Sequence, residues 1–223
     1  MTASNNGEIL LAAAQSGDIH LLQDVIKRRA LQTRQDVDHI VNETNAYGWT
    51  VLHGASERGH AHIVNHLLKE HACDPNVQSM HGWTPLHRAA EHGHVDTISL
   101  LLQESKCKPN LVDHLGETAL HLASRKGYCR AVEILLNHGK ANPNIRNKSG
   151  KTALQWAVQF GYETVVSVLL PVTKSPSARY LIDNSCRTPL SISRGRENRK
   201  NVVRQLLIAR LEEKTTTTTG WKK

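Results

Sequence analysis

Aromatic residues make up only 4% of the chain, and there is a single Phe. A large sheet or sandwich draws much of its buried area from aromatic rings. This core must come instead from Leu, Val, Ile and Ala, which suits closely packed helices. No apolar run approaches the roughly 20 residues that cross a bilayer. The opening Met1-Thr2-Ala3-Ser4-Asn5-Asn6-Gly7-Glu8 has no basic stretch followed by an apolar one, so no secretory signal is read there. The four cysteines, Cys73, Cys107, Cys129 and Cys186, are never at CxxC spacing, which argues against a zinc site of the usual kind. Without a secretory signal, free thiols in a reducing compartment are expected. A Gly-rich phosphate loop, HExxH, GxSxG and paired carboxylates are also missing. An enzyme reading therefore has no residue to name. The expectation is a non-enzymatic protein of the cytoplasm, with the nucleus also open to it, and without metal, cofactor or small-molecule substrate.

What remains is an ordinary globular balance over 223 residues, 39% hydrophobic and 22% charged, with a net charge of +8. That charge is unevenly placed. Residues 1–186 hold 18 Lys/Arg against 17 Asp/Glu, whereas residues 187–223 hold 10 against 3. The body is near neutral and the basic character belongs to the C-terminal end.

Self-comparison reveals a repeat. Thr50-Val-Leu-His-Gly-Ala-Ser-Glu-Arg-Gly-His60 recurs as Thr84-Pro-Leu-His-Arg-Ala-Ala-Glu-His-Gly-His94, as Thr118-Ala-Leu-His-Leu-Ala-Ser-Arg-Lys-Gly-Tyr128 and as Thr152-Ala-Leu-Gln-Trp-Ala-Val-Gln-Phe-Gly-Tyr162. A degraded copy starts at Thr188, and an earlier one is visible in Leu10-Leu-Ala-Ala-Ala-Gln-Ser-Gly17. The threonines are spaced 34, 34, 34 and 36 residues apart. Each copy leads into a second apolar stripe that ends in paired leucines, from Leu67-Leu68 to Leu206-Leu207. The threonine hydroxyl can accept from an orphan N–H at a helix start, and Pro85 and Pro189 follow where a missing N–H costs nothing. Gly59, Gly93, Gly127 and Gly161 end the first helix in a left-handed conformation. Ile63, Val64, Leu67 and Leu68 repeat at helical spacing and mark a second helix. Asp74-Pro75-Asn76, Lys108-Pro109-Asn110 and Asn142-Pro143-Asn144, followed by Gly82, Gly116 and Gly150, read as turns that join one unit to the next.

This pattern closely resembles the ankyrin repeat, over about residues 5–211. The resemblance implies an all-α solenoid of stacked helix-turn-helix units with short β-hairpin connections. One domain is expected over residues 1–214, with units near 1–44, 45–78, 79–112, 113–146, 147–182 and 183–214, the two end units acting as polar caps. A low-complexity, flexible tail is expected over 215–223. Two departures stand out. The units have 34 residues rather than 33, and the first carries about eight extra residues near Arg34–Thr44, expected as a longer loop.

The resemblance also implies binding of a partner protein along a concave face of hairpin tips and first helices, as a monomeric scaffold or adaptor. By register, the N-terminal half of that face carries Tyr47, Trp49, Met80, His81 and Trp83, together with Arg58, Arg88 and His92 on the helices. Its C-terminal half carries Leu115, Arg125, Lys126, Lys148 and Lys151. Trp156 and Phe160 lie one helical turn apart. Exposed Trp, Tyr and Arg dominate interface energies, so the expected partner offers an apolar anchor and an acidic patch; the alternative for the tryptophans is packing over their own hairpins. Asn76, Asn110 and Asn144 match asparagines that are hydroxylated in such repeats, although each follows a Pro where the favoured pattern has none. His53, His87 and His121 occupy the position that ties units together. His62 and His66 have ligand spacing but no acid or Cys to complete a site. The alternative function is electrostatic binding of nucleic acid or an anionic membrane surface by the basic C-terminal end. There, only Trp221 could stack on a base.

Overall fold

A computed structural model describes residues 3–173 and Ile208. Except for Ile208, the expected sixth unit, the basic end and the tail, with Cys186, lie outside the described residues. The chain runs through α1 (Ala3–Ser16), α2 (Ile19–Thr33), α3 (Val37–Val41), α4 (Val51–Arg58), α5 (Ala61–Glu70), α6 (Pro85–His92), α7 (Val95–Gln103), α8 (Ala119–Lys126), α9 (Cys129–Asn137), α10 (Ala153–Phe160) and α11 (Glu163–Val172). Helices α1, α4, α6, α8 and α10 stack in one row, and α2, α5, α7, α9 and α11 back them in a second. Between the rows lies a continuous core of register-equivalent residues. Leu52, Leu86, Leu120 and Leu154 come from the inner row, and Leu67, Leu101, Leu135 and Leu169 from the outer, each at most 2% exposed. Ala55, Ala89, Ala123 and Ala157 are fully buried where inner helices meet; their small side chains permit the close approach.

The threonines cap the inner helices through a two-way exchange. In α6, Thr84 Oγ1 accepts from the His87 N–H at 3.3 Å, while His87 Nδ1 accepts from the Thr84 N–H at 3.2 Å. Because Nδ1 accepts, the neutral ring carries its proton on Nε2, which donates to the Glu117 carbonyl of the next unit at 3.0 Å. His53 reaches the Trp83 carbonyl and His121 the Lys151 carbonyl in the same way, at 2.9 and 3.1 Å. The expected inter-unit tie is thus present three times.

The glycines that end α1, α4, α6 and α8 are required twice over. Gly93 has φ +73°, and a Cβ there would lie 2.8 Å from the Tyr128 ring of the following unit. Left-handed backbone disfavours any Cβ, and here an aromatic ring fills its place as well. Gly93→Ala should destabilise the protein by about 1–3 kcal/mol, read from urea unfolding followed by circular dichroism. An unchanged midpoint would refute this account of the packing.

Two expectations are corrected. The connections are tight turns rather than β-hairpins, and no strand forms among the described residues. Each finger, numbered from its first residue (45–49, 79–83, 113–117 and 147–151), closes on itself. In the first, the Asn45 N–H donates to the Trp49 carbonyl at 2.9 Å, and Asn45 Oδ1 accepts from the Tyr47 and Trp49 N–H groups. Only one backbone bond links each finger to the next, as from the Met80 N–H to the Tyr47 carbonyl at 2.9 Å. The second correction concerns the extra residues in the first unit. They fold as the short helix α3, which buries Ile40 and Val41. Asn42 Nδ2 donates to the Ala72 carbonyl at 3.0 Å and thereby fixes α3 to the second unit. An ion pair between Arg29 and Glu43, 2.8 Å apart, ties the α3 segment back to α2.

Candidate functional site

The fingers and the inner helices interleave. The last residue of each finger stands immediately before its capping threonine. In the first and third fingers, the residue 39 positions later lies on the next inner helix and packs against it. Trp49 and Arg88 are such a pair: the Arg88 guanidinium lies 3.8 Å from the centre of the Trp49 ring and 4.4 Å from that of Trp83. Arg88 also pairs with Glu91 at 3.2 Å and Glu57 at 3.9 Å. Burial lowers its pKa, against the opposing pull of those carboxylates. Cation–π contacts strengthen when desolvated, so this sandwich braces the first two fingers against α6.

Glu117 and Trp156 form the corresponding pair two units on, with the chemistry inverted. The Trp156 indole N–H donates to Glu117 Oε1 at 2.7 Å, and Lys151 Nζ lies 3.9 Å from the centre of the Trp156 ring. Glu117 is 1% exposed. It also accepts from Arg125 at 2.9 Å and from Asn147 Nδ2 at 3.1 Å. Lys151, expected on the open face, is instead buried, and its Nζ donates to Gln159 at 2.7 Å.

The expected face therefore divides differently. Trp49, Trp83, Arg88, Arg125, Lys151 and Trp156 are engaged with one another or with nearby carboxylates. The open apolar surface comes from Tyr47, Met80 and Leu115, each about three-fifths exposed on successive finger tips, with Phe160 at 47% further along. Phe160 stacks on Trp156 with ring centres 5.9 Å apart. Arg58, His81, His92, Lys126 and Lys148 are exposed; His92 Nε2 stands 3.9 Å from Glu91. Two cavities open beside the tips. One, of about 490 Å³, is bounded by Leu11, Tyr47, Trp49 and Arg88. The other, of about 310 Å³, lies between the second and third fingers and is bounded by Trp83, Arg88, Asp113 and Leu115. Asp113 is the residue that sequence reading misses, while Glu117 falls at a finger position by register without being singled out. Their signal was position: Glu117 replaces the tryptophan of the two preceding fingers, and Asp113 replaces a neutral Ser or Asn.

The other candidates lie elsewhere. Asn76 and Asn110 bridge successive turns: Asn76 Oδ1 accepts from the Lys108 N–H and Asn110 Oδ1 from the Asn142 N–H, both at 2.8 Å. Asn144 is exposed in the next turn. His62 Nε2 contacts the Gly17 carbonyl at 3.0 Å and His66 Nε2 contacts Gln23 at 3.3 Å, so the two rings serve different contacts. Cys73 and Cys107 line a cleft of about 710 Å³ beside the bridging turns. Burial pushes their thiols up to about 12 and about 11, so both stay protonated and poorly nucleophilic. No helix among the described residues is long and apolar enough to cross a membrane.

The family model for ankyrin repeats, built from three copies, matches residues 9–113 and 105–180, more than half of the chain. No curated protein matches it.

Proposed function

The chain belongs to the ankyrin-repeat family, whose members are generally protein–protein interaction modules, and from that premise we propose that it is a scaffold or adaptor that holds one partner protein on its concave face. The observation that carries this reading is the row of exposed Tyr47, Met80 and Leu115 on successive finger tips, flanking two cavities. Large apolar side chains beside concave, partly apolar pockets are where interface energy concentrates. The interleaved pairs beneath support it further, because a braced finger loses less entropy when it binds. The partner spans both halves, with apolar groups over the finger tips and acidic ones near Lys126 and Lys148.

The triple variant Tyr47→Ser, Met80→Ser, Leu115→Ser tests this. Its partner affinity should fall roughly thirtyfold or more, read by quantitative affinity capture. Its thermal melt should match the wild type, because the three side chains are open. Binding that survives the triple variant but collapses steeply with salt would favour the basic C-terminal end instead.

A further inference from the structure

The wall of the cavity between the second and third fingers holds a carboxylate that no described residue neutralises. Asp113 is 4% exposed. Its Oδ1 holds the third finger closed by accepting from the Leu115 and Glu117 N–H groups, both at 2.8 Å. Its Oδ2 has no hydrogen-bond partner, and the carboxylate forms no ion pair among the described residues. The fourth finger shows what is missing. There the equivalent residue, Asn147, pairs with Glu117 of the preceding finger. For Asp113 the preceding finger offers the Trp83 ring. A buried, uncompensated carboxylate is costly, and a cation brought to it from outside removes that cost.

The surroundings have the same sign. Glu8 and Asp113 line the two cavities, and Arg88, which lines both, is already paired with Glu57 and Glu91. Four carboxylates thus stand against one guanidinium. The sequence had suggested an acidic partner; at this end of the face the electrostatics ask for a basic one. A cavity of about 310 Å³ is near the lower end of ligand-pocket sizes, about 300 Å³, enough for one long side chain. Its Trp83 wall suits the aliphatic stem and planar head of such a residue.

We propose that this cavity seats an arginine or lysine side chain of the partner protein, whose neighbouring apolar residues cover Met80 and Leu115. This rests on the concave-face reading above and adds the chemistry of the partner's segment.

Selection of a displayed library of random linear peptides on the full-length chain tests it. Enriched peptides should carry Arg or Lys beside an apolar residue. Their affinity should fall roughly tenfold for Asp113→Asn, which keeps the Oδ1 contacts and, with the uncompensated charge removed, should melt no lower than the wild type. Enriched peptides that lose binding to the triple finger variant yet lack a basic residue, or ignore Asp113→Asn, overturn this inference and leave the concave-face reading standing. Peptides indifferent to both variants overturn both. Basic peptides recovered only after the basic residues of 187–223 are replaced by glutamine would assign the cavity to the chain's own C-terminal segment and overturn a partner's side chain as occupant.

Discussion

Glu117→Ala should be among the most damaging single substitutions on the concave side, lowering stability by about 3 kcal/mol. Three donors converge on this carboxylate: the Arg125 guanidinium, the Trp156 indole N–H and the Asn147 amide. Removing one partner of a buried ion pair costs roughly 3–5 kcal/mol, because the other charge stays behind unpaired. Arg125 keeps a quarter of its side chain exposed and so recovers some hydration, which places the estimate at about the lower end of that range. The His87 tie is untouched, since it uses the Glu117 backbone carbonyl. Glu117→Gln retains one acceptor oxygen and should lose about 1–2 kcal/mol. Urea unfolding of the two variants beside the wild type measures both. An alanine variant within about 0.5 kcal/mol of wild type, the usual range for surface substitutions, would mean that the cluster is ornamental. The Asn147 contact gives Glu117→Ala a second consequence. It removes the side-chain tie between the third and fourth fingers and leaves only the backbone bond from the Lys148 N–H to the Leu115 carbonyl, so it should also perturb binding at Lys148 without touching an exposed side chain.

The solenoid was legible in the sequence because its determinants recur in register. Thr84, Leu86, His87, Gly93 and the paired leucines each act within one unit or on its neighbour, at one fixed interval. The interleaved pairs were harder to see. Trp49 with Arg88, and Glu117 with Trp156, each combine a finger residue with one 39 positions on, the repeat length plus five. No single unit contains both members, and their chemistry changes along the stack from cation between rings to ring beside acid and cation. Helix α3 was read as a loop for another reason. Five residues are too few for a helical period to declare itself, and the segment is held by contacts to Ala72 that no local pattern reports. Lys151 reads as a groove cation from its position in the repeat alone, whereas its aliphatic stem lets it lie buried along Trp156.

Stability should fall sharply as pH drops from about 6.5 towards 4, well before general acid denaturation. His53 and His121 are both pulled down to about 4 from 6.5, chiefly by burial, with carbonyl contacts opposing, and His87 is lowered by the same cause. In the unfolded chain these rings titrate near 6.5. Between the two values the unfolded state binds protons that the folded state refuses, so stability rises with pH across that window and falls as pH is lowered through it. The contribution is complete above the unfolded value and is lost below about 4. For His53 and His121 it amounts to roughly 3 kcal/mol each. Geometry explains the resistance to protonation. Nδ1 faces the N–H of the capping threonine, and a proton there would set donor against donor at three successive units. The fifth unit supplies the control, because Gln155 Oε1 accepts from the Thr152 N–H at 2.9 Å in the same place and cannot titrate. Unfolding midpoints at pH 7.5, 6.5, 5.5 and 4.5 should therefore decline steeply in the wild type. A variant carrying His53→Gln, His87→Gln and His121→Gln should start lower at pH 7.5 but show a flatter slope down to about 5, where carboxylates begin to titrate. Parallel slopes in the two proteins would locate the acid sensitivity elsewhere and refute the neutral-histidine account.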